Sequence, residues 1–288
     1  MEQIYKILKE HNVKNLKEIT LEEVSNKDGI LVYRIKDQES SKILKVFENK
    51  IYKREISNYK ILMELGIQTI PVYSFAESSI LMEDIKFSDR YRLAAKEDMF
   101  NPKVIVPLAR WYQELHRKGE IYLKDNKVKL YSEYDSITRE TITFLKDKIN
   151  VKNEEVWDIL ISEIDKLHKF CKDRRTITYN DFYFVNMIVA KDYSEAFMFD
   201  YNMLGEGLIA SDILNVTSSI KKCGEKFIES YGKINMLETT VNNILAHIFA
   251  VLEGFNREKF PDWAEESLKF LEGESFEKEI IKWREIDE

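Results

Sequence analysis

Hydrophobic positions change their spacing twice along the chain. Residues 1–10 set Ile4, Ile7 and Leu8 among charges at helical spacing. Residues 16–24 then alternate apolar and polar, as half-buried strands do. Ser25-Asn26-Lys27-Asp28-Gly29 follows with turn chemistry, and Asp28-Gly29 is a strong hairpin signal. Residues 30–36 (ILVYRIK) and 42–47 (KILKVF) read as a second and a third strand. From 52 to 65 the period lengthens: Ile56, Tyr59 and Met63 recur at three and four, and Gly66 stands where a helix would stop. Short strands are expected over 70–75 and 79–82. Beyond about residue 100 the pattern is helical, over 104–117, 136–149, 154–172, 211–231, 239–255 and 263–283. The exception is 176–200, two short apolar strands around a polar loop. A small strand-rich lobe over 1–84 therefore precedes a larger helical lobe over 85–288, and a cleft between lobes is where a ligand is expected.

Composition narrows the class. The chain has 288 residues and 44% hydrophobic content, enough for a sizeable core, and with 9 Gly and 4 Pro it has no low-complexity linker. The longest apolar stretch free of charge, 239–252, is fourteen residues and too short to span a bilayer. The charged first ten residues read as a helix and not as a signal peptide. Cys171 and Cys223 form no CxxC and no disulfide framework. A cytoplasmic globular protein is expected, as a monomer or weak dimer.

Charge adds a direction. Residues 1–200 hold 34 basic and 34 acidic side chains, whereas 201–288 hold 10 and 17, so the net −7 lies entirely in the last 88 residues. Nucleic acid and anionic membrane both need a basic footprint, so neither is expected as a partner. The acidic end is compatible with a cationic small molecule, and taken alone reads first as a solvated helical surface.

The most informative segment is Thr176-Ile-Thr-Tyr-Asn-Asp-Phe-Tyr-Phe-Val-Asn-Met-Ile-Val189. Asp181 and Asn186 stand five apart between two apolar runs, and Asp200 closes the next one. Magnesium takes oxygen ligands and keeps few protein side chains beside phosphate oxygens, and phosphoryl transfer to a hydroxyl needs a nearby carboxylate. Asp and Asn are also common in turns, so this spacing alone is weak. Lys45 is a lone cation in the apolar run Ile43-Leu-Lys-Val-Phe47, and a buried lysine needs an acidic or phosphate partner. Glu55, on the next helix, is the candidate.

Together these features resemble the aminoglycoside phosphotransferase/choline kinase family, small-molecule relatives of the protein kinases. Its signature, His-Gly-Asp-x4-Asn with an Asp closing the following strand, is matched at Asp181, Asn186 and Asp200; Tyr179-Asn180 replaces His-Gly. Glu55 with Leu62 and Gly66 fits the family's Glu, Leu at +7, Gly at +11. Ser79-Ile-Leu-Met-Glu-Asp-Ile85 resembles its hinge, and Leu108-Ala-Arg-Trp-Tyr-Gln-Glu-Leu-His116 its L-x-x-L-H helix, in which His116 is structural. The similarity covers about residues 16–216.

The resemblance implies an α+β, two-lobed protein-kinase-like fold, with a small antiparallel-sheet N-lobe and a larger mainly helical C-lobe. It implies Asp181 as catalytic base, and Asn186 and Asp200 as holders of Mg²⁺ against the phosphates of ATP or GTP. Lys45 and Glu55 would orient those phosphates, and the backbone around Glu83 and Ile85 would meet the base. Ser25 and Asn26, in the first hairpin loop, would lie over the phosphates. Asp212 is expected to be structural, as a helix cap. Glu206, Glu253, Asp262, Glu265 and Glu266 are the candidate carboxylates for a cationic acceptor.

The expected activity is transfer of a γ-phosphoryl group to a hydroxyl of a small molecule, first of all an aminoglycoside. A kinase of another metabolite, a choline-like amine or a sugar, is the second enzyme reading. A nucleotide-binding regulatory or coat protein without turnover is the third, with Tyr179-Asn180 as its only hint.

Overall fold

The computed structural model describes residues 2–38, 40–126 and 128–287, with residues 286 and 287 described by their backbone alone. Met1, the start of the first expected helix, lies outside them. In chain order the elements are α1 (Glu2–Glu10), β1 (Thr20–Lys27), β2 (Ile30–Lys36), β3 (Ser41–Phe47), α2 (Arg54–Glu64), β4 (Val72–Phe75), β5 (Ser79–Glu83), β6 (Tyr91–Leu93) and α3 (Pro102–Asp125). They continue with α4 (Arg139–Lys148), α5 (Glu154–Arg174), β7 (Thr176–Thr178), β8 (Met187–Ala190), β9 (Ala196–Met198) and β10 (Gly205–Gly207). The chain closes with α6 (Ile209–Ile220), α7 (Gly224–Tyr231), α8 (Met236–Phe255), α9 (Asp262–Leu271) and α10 (Glu274–Asp287). A small antiparallel sheet and a larger helical part make this an α+β fold, as expected. Among the described residues no helix is long and apolar enough to cross a membrane.

The chain divides into two compact units. The first comprises Met1–Leu115, Asp181–Leu204 and Thr217–Tyr231, and the second His116–Asn180, Gly205–Val216 and Gly232–Glu288. Compactness thus groups residues 85–115, 181–204 and 217–231 with the sheet, a different grouping from a division by role at 84/85.

In the first unit the main sheet runs β1-β2-β3-β5-β4, antiparallel throughout. Its two faces follow from the period of two. Leu31, Ile35, Leu44, Val46 and Leu81 pack with Ile4, Ile7 and Leu8 of α1 into one core cluster. Ile30, Val32, Ile43, Lys45 and Met82, the alternate positions, face a cavity. The hairpin turns at Asp28 (φ 56°) and Gly29 (φ 78°), left-handed positions that Asp and Gly tolerate best. β1 begins four residues later than the pattern predicts and runs on through Ser25 and Asn26, which lie in the strand and not in the hairpin loop and pair with Val32 and Leu31. A second sheet, β6-β8-β9, carries the strands around the Asp181–Asp200 segment.

The second unit is built on α4, α5, α8, α9 and α10, whose apolar faces close around Trp157, Leu160, Ile244, Ile248 and Phe276. Two expected helices are each broken in two. Residues 211–231 split at a tight turn over Lys221–Cys223, where Lys221 has φ 42°, and 263–283 split between α9 and α10 at Gly273. Apolar spacing runs through both breaks, so periodicity alone did not show them.

Candidate functional site

Alternation in β3 decides where Lys45 points. With Leu44 and Val46 committed to the α1 core, Lys45 falls on the opposite face, flanked in the ladder by Val32 and Ile80. α2 follows a tight turn over Lys50–Lys53 and buries Glu55, Asn58, Tyr59 and Leu62 along one face, at spacings of three and four. Lys45 Nζ donates to Glu55 Oε1 at 2.9 Å and to Oε2 at 2.7 Å, and to Asp200 Oδ1 at 2.7 Å. One cation therefore serves two carboxylates. Burial works against the Lys45 charge, yet Glu55 and Asp200 outweigh it and hold its pKa above the usual lysine value. Burial pushes the Glu55 carboxyl the other way, up to about 7, against the pull of Lys45. The bidentate geometry and the cation held on Lys45 favour the ionised carboxylate.

Asp200 is set by its backbone. It adopts a left-handed conformation (φ 64°, ψ 74°) two residues past β9, costly for a non-glycine residue unless the surroundings hold it. They do. Asn58 Nδ2 donates to the Tyr201 carbonyl at 2.8 Å, Arg54 Nε donates to the Asn202 carbonyl at 2.5 Å, and the Tyr59 and Tyr201 rings meet edge-on at 4.7 Å. Asn58, Arg54 and Tyr201 went unmarked in the sequence. Asn58 was detectable in principle, one turn after Glu55 on the same helix face.

Asp181 and Asn186 bracket a short loop ending in the tight turn Phe184–Asn186. Asn186 Nδ2 donates to Asp181 Oδ2 at 2.9 Å, which leaves the Asn186 amide oxygen for another partner. Burial, then repulsion from Asp200, pushes the Asp181 carboxyl up to about 6 despite that donor. Asn180, immediately before it, has φ 65°, a conformation that glycine adopts freely and Asn tolerates. The Tyr179-Asn180 replacement thus keeps the backbone path open to a Gly at that position.

Within the second unit, Asp212 Oδ2 accepts from Tyr179 N at 2.7 Å, and Oδ1 from Asn180 N at 2.9 Å. His116 Nε2 lies 2.9 Å from Asp212 Oδ2, and both side chains are buried. Asp212 is structural as expected, though it works by tying down these two amides of the loop and not by capping its own helix.

Lys45, Glu55, Asn186 and Asp200 line one cavity of about 660 Å³ in the first unit, together with Ser25, Glu83 and Ile85. Its apolar wall includes Val24, Val32, Ile43, Met82, Leu93 and Val185. Val24 sits at a bulge in β1, and none of Val24, Leu93 and Val185 was singled out in the sequence. Asp181 does not line this cavity and joins it through Asn186; Asn26 does not line it either. Asp84 is buried and bonded to Arg34 at 2.6 Å.

The acidic candidates for an acceptor lie in the second unit. Glu206 is paired with Arg175 at 2.7 Å and lines a separate cavity of about 550 Å³. Asp262, Glu265 and Glu266 are exposed on α9, and Glu253 is half-buried on α8. A further carboxylate, Glu133, was not foreseen. Burial, helped by Asp212 and Glu253, pushes it up to about 7, and its side chain has no hydrogen-bond partner among the described residues. It stands in a polar loop with no spacing to mark it.

No family model matches the sequence, and no curated protein matches it. Solved structures do match in shape. A choline/ethanolamine kinase family protein from Mesorhizobium loti superposes with TM-score 0.63 at 12% identity, over 99% of each chain. The choline kinase LicA from Streptococcus pneumoniae gives 0.60 at 16% identity, over 97% of this chain and 99% of that one; LicA is also solved in complex with AMP. The macrolide 2'-phosphotransferase MphH from Brachybacterium faecium gives 0.57 at 11%, over 94% and 98%. The chain therefore has the kinase-like fold that these choline kinases and antibiotic phosphotransferases share.

Proposed function

We propose that the chain transfers the γ-phosphoryl group of ATP or GTP to a hydroxyl of a small cationic molecule. The observation that carries this reading is the junction at Lys45, whose ammonium holds Glu55 and Asp200 in the wall of the cavity that Asn186 also lines. That cavity, at about 660 Å³, lies within the range of small-ligand sites. Its apolar wall offers a slot for the base, with the backbone at Glu83 and Ile85 along one edge. The AMP complex of LicA, a protein of the same fold, supports a nucleotide there. By role, residues 1–84 hold the nucleotide, and 85–288 supply catalysis and acceptor binding. A cytoplasmic site of action goes with these substrates.

Each residue has a distinct task. Glu55 keeps Lys45 extended along the cavity wall, where its ammonium meets the phosphates. Asp181, bonded to Asn186, accepts the proton of the attacking hydroxyl. Asn186 and Asp200 fit Mg²⁺: both offer oxygen, the Asn186 amide is turned with its nitrogen toward Asp181, and Asp200 keeps one oxygen beyond the Lys45 contact. Among the described residues no three His, Cys, Asp or Glu side chains converge on a metal site, so the other ligands would be phosphate oxygens and water. When bound, the cation neutralises charge on the phosphates.

The acceptor class rests on charge. Glu253, Glu133, Asp262, Glu265 and Glu266 give the second unit carboxylates without a fixed cation among the described residues, as an aminoglycoside requires; Glu206 is already neutralised by Arg175. An amino alcohol such as choline or ethanolamine is the second reading, favoured by the end-to-end match to LicA. The test is phosphorylation of a panel of aminoglycosides, choline, ethanolamine and neutral sugars, with ATP and with GTP. Transfer to a cationic member supports the proposal; transfer to neutral sugars alone refutes the acceptor class, and transfer to none refutes the activity.

A further inference from the structure

The buried pair Arg34–Asp84 is not needed to align the strands it joins. β2, β3 and β5 are already in register through their backbone ladders, Arg34 opposite Ile43 and Lys42 opposite Glu83. A buried ion pair is also weak as a source of stability, because desolvating both charges offsets most of their attraction. Yet Arg34 and Asp84 are 8% and 3% exposed, and Arg34 Nε donates to Asp84 Oδ2 at 2.6 Å.

The other partners of Asp84 suggest its purpose. Ser41 Oγ donates to the same oxygen at 2.6 Å, and Lys86 N to Oδ1 at 3.2 Å. One carboxylate thus ties β2, β3 and the tight turn Ile85–Phe87 together at the point where the chain leaves β5. Arg34 is held from its other side as well, with Nη1 donating to Glu22 Oε1 at 2.9 Å. Arg34, Asp84, Ile85 and Lys86 all line the 660 Å³ cavity, and the backbone N–H of Ile85 has no partner among the described residues.

We propose that Arg34 and Asp84 are a positioning pair for the nucleotide base, fixing the 84–86 backbone so that its open N–H meets the base edge. This rests on the nucleotide reading of the cavity. A hydrogen bond to a base selects only if its donor is held in place, and a turn hanging from the end of a strand is otherwise free to shift.

The test separates the base end of the ligand from the phosphate end. Calorimetry on the full chain measures AMP and inorganic tripolyphosphate against wild type, Arg34→Lys and the charge-neutral double variant Arg34→Met/Asp84→Asn. Ser41→Ala, which removes one neutral donor, is the mild companion should either fail to fold. The pair variants are expected to bind AMP roughly tenfold more weakly, and Ser41→Ala about threefold, as loss of hydrogen bonds to a charged group implies. Tripolyphosphate affinity stays within about twofold, because its contacts lie at Lys45. Unchanged AMP affinity in a folded variant overturns the proposal, and so does an equal loss for both probes, which is the mark of a merely structural role. Failure of the wild type to bind AMP overturns the nucleotide reading itself, and that failure is told apart because it appears before any substitution is made.

Discussion

In the second unit Arg175 meets Glu206 at 2.7 Å and Lys129 meets Asp135 at 2.9 Å, while Lys172 lines the same 550 Å³ cavity without an ion pair and the buried His168 Nε2 without a hydrogen-bond partner among the described residues. In the first unit Lys45 faces two carboxylates, and Asp181 stands close enough to Asp200 to be repelled, with no cation of its own among the described residues. The cavities are similar in size and both contain charge. What separates them is surplus. An excess of buried acid is tolerated only where something else neutralises it, and shifted titrations mark such places. The acidic surplus is what supports the proposed site in the first cavity, whereas the second carries a surplus of base at Lys172.

The strongest way to break that contrast is Asp181→Asn. Turnover is expected to fall by ~10²–10⁴, the usual contribution of a positioned base, with AMP affinity changed only a few-fold. The melting temperature should hold, since the fold already disfavours the ionised carboxylate. Undiminished turnover would remove Asp181 from the reaction. Lys45→Met comes next: stripping the cation from a buried pair costs ~3–5 kcal/mol of stability, read by denaturant unfolding. Adding Glu55→Gln should recover part of that stability without restoring nucleotide affinity. Recovery of both would make Lys45 a packing residue.

A pH profile sharpens the comparison without mutation. Asp181 must be ionised to accept a proton, and its pKa is pushed up to about 6. The expected kcat/KM is therefore level above pH 6 and falls about tenfold per unit below it as the carboxylate protonates. An acid limb near pH 4 would contradict the burial of Asp181 and its closeness to Asp200. Glu133, pushed up to about 7, adds a second arm: affinity for a cationic acceptor rises as pH increases through 7 and the carboxyl ionises. The smallest effect belongs to the second cavity. Arg175→Met with Glu206→Gln removes a neutral pair, so turnover should stay within about twofold; partly exposed pairs contribute ~0–1 kcal/mol. A large loss there would collapse the distinction between the cavities.

Local order was the legible part. The alternation in 30–36 and 42–47, the Asp28-Gly29 hairpin and the shift to helical spacing at 52 are short-range signals, and the strands and α2 formed where they point. Asp181, Asn186 and Asp200 were visible because their spacing ties oxygen-bearing side chains to strand ends. Legibility failed where the deciding contact is distant in sequence. Asp84 reads as a loop acid until Arg34, fifty residues earlier, is placed beside it. Asp212 reads as a cap until Tyr179 and Asn180 present their amides to it. The helix breaks at 221–223 and at Gly273 were hidden because apolar period continues across a short break.

By itself the sequence determined which side of β3 Lys45 takes, because a period of two leaves no choice once Leu44 and Val46 are buried. It determined equally that Asp181 and Asn186 share a loop, since four intervening residues cannot carry them far apart. Tertiary structure decided the rest: that Lys45 serves Glu55 and Asp200 at once, that the Asp200 backbone is held left-handed, and that burial, then Asp200, pushes the Asp181 carboxyl up to about 6. These depend on through-space distances and on exclusion of water, which no spacing along a chain encodes.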